Sequence, residues 1–156
     1  MKLSYLIVAL LVSFSAISLT LRDPGTDKTE VIEIIRLLYT SFEQEDMDLM
    51  SSVMSHDEDM VSFGTGLTEH HVGWKQWKEA HLGQFEVFDD IRVTSKDLTV
   101  FIGSSRDVAW FADVNDWHLV VDKDSIDVPD IRITGVLEKK AGDWKIVQIH
   151  ASVPQS

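Results

Sequence analysis

Apolar positions recur at spacings of three and four near the start of the chain, and at spacings of two through its second half. Val31, Ile34, Ile35, Leu38 and Phe42 form one stripe, which predicts an amphipathic helix ending at about Gln44. Asp27 followed by Glu30 has the form of a capping box with Asp in the place of Ser or Thr, so the helix is expected to start there. Asp46 can cap a second, shorter helix whose inner side is Met47, Met50, Val53 and Met54. Residues 60–64 read as a first strand, broken by Gly64-Thr65-Gly66. Gly73 then opens a third helix over 74–84, with Trp74, Trp77 and His81 on one face.

Beyond this helix the alternation predicts strands at 87–94, 98–102, 108–114, 117–121, 131–139 and 144–152. Turns are expected at 103–106 and 141–143, and the acidic stretch 122–130 (DKDSIDVPD) reads as a loop between two strands. Helices first and strands after point to an α+β domain with an antiparallel sheet rather than a parallel βαβ unit.

The 156 residues, 44% apolar, suit one core and not two. The formal net charge of −12 and the lack of a basic stripe argue against nucleic acid as a partner and against adhesion to anionic membranes. With no cysteine, there is no disulfide framework, thiolate metal site or Cys nucleophile.

The N-terminus changes the picture of where this domain works. Lys2 precedes an apolar run from Leu6 to Val12, extended by Phe14 and Ile17, and Ala16-Ile17-Ser18 has the small residues a signal peptidase accepts. Residues 1–18 are therefore expected to be a cleavable signal peptide, followed by a linker over 19–25 with a Pro-Gly turn and a domain over 26–154. The mature chain would be secreted or periplasmic, with no stable membrane association after cleavage. The alternative is a single membrane anchor, for which the run is short and interrupted by Ser13, Ser15 and Ser18.

Three features together resemble a known family: the helical hairpin leading to a strand that ends Phe63-Gly64-Thr65-Gly66, Gly73 opening a helix with Trp74 and Trp77, and a close that runs Arg132-Ile133-Thr134 to Trp144, His150, Ser152 and Pro154. The pattern resembles the SnoaL-like domain family of the nuclear transport factor 2-like superfamily, and its close is similar to the association domain of calcium/calmodulin-dependent kinases. The resemblance implies a cone-like fold, with N-terminal helices packed on a strongly curved antiparallel β-sheet. It also implies a pocket for a small apolar or amphipathic molecule and a homodimer or larger ring formed through the sheet. Fold alone does not confer function, so the site has to be read from its own residues.

Ketosteroid isomerase, in the same superfamily, resembles this chain in its hairpin and first strand. It needs a carboxylate base on that strand, where Ser62 or Phe63 stands here, and a tyrosine in the first helix near Leu38, with Tyr39 one residue away on a different face. That mechanism is not supported. Other members use His and Asp in the cone, and the candidates of that kind are His81, His118 and Asp113, with His81 and Asp113 as the acid–base pair for lyase- or isomerase-type chemistry. The plainer reading makes His81 solvated and places Asp113 on the outer face of its strand.

Trp74, Trp77, Trp110 and Phe63 are the candidate ligand-binding aromatics, though tryptophans are also ordinary core residues. His70 and His71, with His81, Glu69 and Glu79, invite a metal reading. Adjacent histidines on an extended chain point opposite ways, so no metal and no cofactor is expected. His150 and Ser152 are expected to share a face of the last strand with Trp144 and Ile146, and Arg132 and Thr134 a face of the strand before it. These polar groups form one patch, either in the pocket or in a subunit interface. The favoured reading is a self-associating ligand-binding module, and the alternative is the His81–Asp113 enzyme.

Overall fold

The computed structural model describes residues 24–154. The signal peptide expected at 1–18 lies outside them. Helix α1 (Pro24–Glu43) and helix α2 (Met47–Val53) form the hairpin. Strands β1 (Val61–Phe63) and β2 (His70–Val72) precede helix α3 (Trp74–Phe85). Strands β3 (Asp90–Ser95), β4 (Thr99–Ile102), β5 (Val108–Val121), β6 (Asp124–Lys140) and β7 (Asp143–Ser152) follow. The seven strands make one curved, unclosed sheet in the order β2-β1-β7-β6-β5-β3, with β4 also paired to β5. Every pairing is antiparallel except β1 with β7.

The stripe on α1 does what its spacing predicts. Val31, Ile35, Leu38 and Phe42 are buried against Met50 and Val53 of α2 and against Phe111, Ile133, Leu137, Ile146 and Ile149 of the sheet. Asp46 caps α2, its carboxylate accepting from the Leu49 N–H at 2.9 Å. Gly73 stands before α3 with φ 81°, and a Cβ there would sit 3.1 Å from the Glu58 carbonyl oxygen, so the position needs glycine.

Several expectations are corrected. The helix begins at Pro24, so Pro24 and Gly25 are its first turn rather than a linker turn. Asp27 is therefore not a cap. It lies inside α1, is 0% exposed and is held by Arg106 and Lys139. Residues 87–89 lead into β3 without joining it, and β2 was not foreseen because three residues are too short to show an alternation.

The stretch 122–130 is not a loop. Asp122 and Lys123, with φ 49° and 72°, make a two-residue hairpin turn, and Asp124 already pairs with Val121. Its carboxylates are exposed along an edge of long β5–β6 ribbon, where acidity is compatible with a strand. Residues 108–114 and 117–121 are likewise one strand. Between the pairs Asn115↔Ile131 and Trp117↔Val128, β5 advances two residues and β6 three. The extra residue is taken up at Asp130 (φ 57°), whose N–H donates to Asp116 Oδ1 at 3.0 Å, while Lys96 bridges both carboxylates. A second bulge lies in β7: Val136 pairs with Gln148 but Leu137 with Ile146. It reverses the strand's phase. Trp144 and Ile146 are buried inside, whereas His150 and Ser152 stand on the outer face, against the expectation that all four share one.

Candidate functional site

The sheet's inner face and the C-terminal half of α1 line a partly open cavity of about 180 Å³. Leu38, Tyr39 and Phe42 come from α1, and Trp77, His81 and Gln84 from α3. Ser62 comes from β1, His71 from β2, Ile91 from β3, and Ile149 and Ala151 from β7. The β6 bulge matters here. It turns Val128 inward beyond Ile131 and Ile133, opposite Trp117 and Leu119 of β5, so the wall stays apolar across the break in register. Phe63, Thr65 and Glu69 complete the lining.

His81 is 7% exposed and packed on three sides. It stacks on Trp77 (centroids 3.8 Å apart), meets Phe42 edge-on at 5.3 Å and approaches His71 at 6.5 Å. Its Nδ1 lies 2.8 Å from the Trp77 carbonyl oxygen. A carbonyl only accepts, so Nδ1 carries the proton and Nε2 is left as an acceptor with no hydrogen bond among the described residues. Burial pushes its pKa down to about 4, against a rise from the Trp77 carbonyl, so the ring is neutral at neutral pH.

Tyr39 joins this wall to a polar network behind it. Its hydroxyl donates to Asp113 Oδ2 at 3.1 Å, and the Ser95 hydroxyl donates to the same oxygen at 2.6 Å. The N–H groups of Asp97 and Val114 donate to Oδ1 at 3.1 and 2.8 Å. Burial, then the Asp113 charge, raises the Tyr39 pKa, which keeps the phenol protonated and donating.

Two polar groups on the cavity wall have no such partners. Ser62 is 0% exposed and its Oγ makes no hydrogen bond. Trp117, which packs edge-on to Phe42 at 5.1 Å, has a buried Nε1 in the same condition. An unmade hydrogen bond at a buried group costs about 1–3 kcal/mol, so each is a stability loss that a bound molecule can recover.

Against the expected site, the structure brings His81 and Trp77 to the cavity; Phe63 touches its lining, but its ring is exposed, stacks on His70 and meets His150 edge-on at 5.9 Å on the outer side, and the others lie away from the cavity. Asp113 is buried but lies behind Tyr39, not in the lining. Trp74 stacks on His56 at 4.6 Å, and Trp110 on Phe101 at 5.6 Å on the outer face. Ser62, Tyr39 and Trp117 were missed as cavity-lining residues. Tyr39 is not hidden by its different helix face, because Leu38 and Tyr39 both reach the cavity. His70 and His71 do point opposite ways: His71 lines the cavity and His70 stacks on Phe63 at 4.5 Å. Among the described residues no group of three His, Cys, Asp or Glu side chains could hold a metal ion, and no helix is long and apolar enough to cross a membrane. Arg132, Thr134, His150 and Ser152 do come together, through the pairs Arg132↔Ser152 and Thr134↔His150, but outside the cone.

The model of the SnoaL-like domain matches residues 31–156, most of the chain and every strand that builds the cavity. The chain belongs to the SnoaL-like domain family. Its solved structural relatives are cones of the same kind. A nuclear transport factor 2-like superfamily protein from Salmonella enterica superposes with a TM-score of 0.78 at 18% identity, covering 86% of this chain and 95% of that one. A candidate scytalone dehydratase from Novosphingobium aromaticivorans gives 0.73 at 11%, covering 84% and 86%. A candidate calcium/calmodulin-dependent protein kinase II association domain from Xanthomonas campestris gives 0.70 at 20%, covering 81% and 87%. At these identities the likeness is one of fold. No curated protein matches this SnoaL-like chain by sequence.

Proposed function

We propose that this SnoaL-like domain binds a small, largely apolar molecule in the cone cavity, without a reaction assigned to it. The observation that carries the reading is the wall itself, mostly aliphatic and aromatic, with the Ser62 hydroxyl and the Trp117 indole N–H buried in it unpaired. A cavity of about 180 Å³ matches one substituted ring, on the scale where an apolar cavity of roughly 150 Å³ holds benzene. The alternative of acid–base chemistry by His81 and Asp113 has less support. Asp113 is saturated by four donors behind Tyr39, and a neutral imidazole with a pKa of about 4 is a weak base at neutral pH.

The test is an NMR titration with ethylbenzene. Saturable shifts of amides in β7 and α3 are expected, and Ala151→Trp, which fills the cavity from β7, abolishes them. Shifts absent from the native protein, or unchanged in that variant, would sink the reading.

A second reading rests on the outer face. Registered pairs run Val72, Val61, Gln148, Val136, Trp110 and Phe101 across six strands in one row. Its end is the stacked pair Phe101 and Trp110, 49% and 45% exposed. We infer that this row seats a second copy of the chain, as a homodimer or larger ring. Sedimentation of Trp110→Glu against the native protein tests it; a native monomer at micromolar concentration refutes it. Export rests on the pattern of residues 1–18 alone, and N-terminal sequencing of the protein recovered outside the cytoplasm checks it.

A further inference from the structure

The cavity's polar groups restrict what it can hold. There is no lysine or arginine among its lining residues, and Glu69 stands at its edge. A carboxylate or phosphate would enter with no cation to meet it, in a chain of net charge −12. The two unpaired wall groups are both able to donate: a serine hydroxyl and an indole N–H. The unpaired atom of His81 is an acceptor, because the Trp77 carbonyl fixes the proton on Nδ1. Tyr39 adds no donor, since its own proton is given to Asp113. The buried groups of the wall left without a partner are therefore two donors and one neutral acceptor around an apolar floor, while Gln84, His71, Thr65 and Glu69 are the less buried polar members of the lining.

Resting on the binding reading above, we propose that the ligand is a neutral, single-ring compound bearing a carbonyl oxygen and a hydroxyl group. The carbonyl accepts from the Ser62 hydroxyl or the Trp117 N–H, and the hydroxyl donates to His81 Nε2. Ser62 Oγ and Trp117 Nε1 are closed to water, so the ligand reaches them by turning the serine rotor or parting the wall with a side-chain rotation. An apolar ligand of the same shape fills the cavity but leaves these groups unpaired, so it binds more weakly.

The test compares four probes by titration calorimetry on the full chain: ethylbenzene, acetophenone, para-hydroxyacetophenone and para-hydroxybenzoate. Para-hydroxyacetophenone is expected to bind about tenfold or more tighter than ethylbenzene, with acetophenone between them and para-hydroxybenzoate the weakest. In Ser62→Ala the advantage of acetophenone over ethylbenzene shrinks. In His81→Phe the advantage of para-hydroxyacetophenone over acetophenone is lost. Equal affinity for ethylbenzene and the two ketones overturns this ligand class while the binding reading stands, and so does tightest binding of the anion. If no probe binds at all, ethylbenzene included, the binding reading falls and takes this one with it.

Discussion

The two ends of helix α1 differ in how their buried polar groups are partnered, with one exception at the first end, where the buried Nε1 of Trp144 makes no hydrogen bond. Near its start, Asp27 is fully buried and fully served. Arg106 reaches Oδ2 through Nε at 2.7 Å, Lys139 reaches Oδ1 at 2.6 Å, and Lys139 also lies over the Trp144 ring at 4.8 Å. Burial alone would push this carboxyl up, but the Lys139 and Arg106 hydrogen bonds and charges outweigh it and hold it below the usual carboxylate range. Near its end, Leu38, Tyr39 and Phe42 face a cavity where Ser62 and Trp117 are unpaired and His81 keeps an unused acceptor. The difference separates two jobs on one helix. The saturated groups tie α1 to the β4–β5 turn and to β6, which fixes the cone's frame; under the proposed function the unsaturated ones are those a ligand would meet.

The largest effect expected is at the saturated end. Asp27→Leu leaves two cations beside a buried site without their anion. Breaking a buried pair from one side usually costs 3–5 kcal/mol, but Arg106 and Lys139 are partly exposed and can turn to water, so about 3 kcal/mol is expected from urea unfolding. A loss under about 1 kcal/mol would mean that the triad does not brace the frame.

The two ends also differ in the pH at which they fail. His81 at the cavity has its folded pKa lowered to about 4, below the unfolded value of about 6.5. Between these values the unfolded chain binds a proton that the folded chain does not. Its contribution to stability is thus complete above about pH 6.5 and is lost as pH falls towards 4. By pH 4.5 the loss is roughly 2 kcal/mol relative to pH 7, and His81→Phe removes that part of the slope. Asp27, with a lowered pKa, contributes above the unfolded carboxylate value of about 3.9 and loses its part only as pH falls below that. Urea midpoints at pH 7, 5.5, 4.5 and 3.5 for native protein, His81→Phe and Asp27→Leu resolve the two windows. Identical slopes in the native protein and His81→Phe from 7 to 4.5 would show that the ring is not held neutral.

Most of the frame was legible in the residues, because packing periodicity is a local signal. The α1 stripe, the Asp46 cap and the turn at Ala141-Gly142 each need only a few neighbours to declare themselves. What was not legible depends on distant partners. Asp27 looks like a cap until Arg106 and Lys139, 79 and 112 residues away, close on it. The bulges at Asp130 and Val147 break the period of two, so alternation alone put His150 on the face of Ile146 and made a loop of 122–130. Of the cavity, His81 and Trp77 could be named from helix spacing and aromatic character, whereas the aromatic ring of Phe63 turned out to stack on His70 on the outer side. Ser62 could not, because a small residue in a three-residue strand shows nothing of its unpaired hydroxyl.

Tyr39 stands at the border of the two regimes, and its hydroxyl tests where the border lies. Tyr39→Phe removes one of the four donors to Asp113 and leaves Ser95 and two backbone N–H groups in place. A cost of about 1–2 kcal/mol is expected from urea unfolding, since a buried charged acceptor loses a partner while three remain. A gain in stability would place Tyr39 with the unpaired groups of the cavity instead.

The smallest effect has the opposite sign. Ser62→Ala deletes a hydroxyl that makes no hydrogen bond and is shielded from water, so the folded protein loses nothing by its removal while the unfolded chain loses a solvated group. The void left is one oxygen in size and opens onto an existing cavity, which limits the cavity penalty. Ser62→Ala is therefore expected to be neutral or to stabilise by up to about 1 kcal/mol, measured as a shift of the urea midpoint at unchanged slope. Under the proposed function, a bound ligand offsets that cost by pairing with the hydroxyl. A loss of stability comparable to that of Tyr39→Phe would show that Ser62 is paired within the fold, and the contrast between the two ends of α1 would collapse.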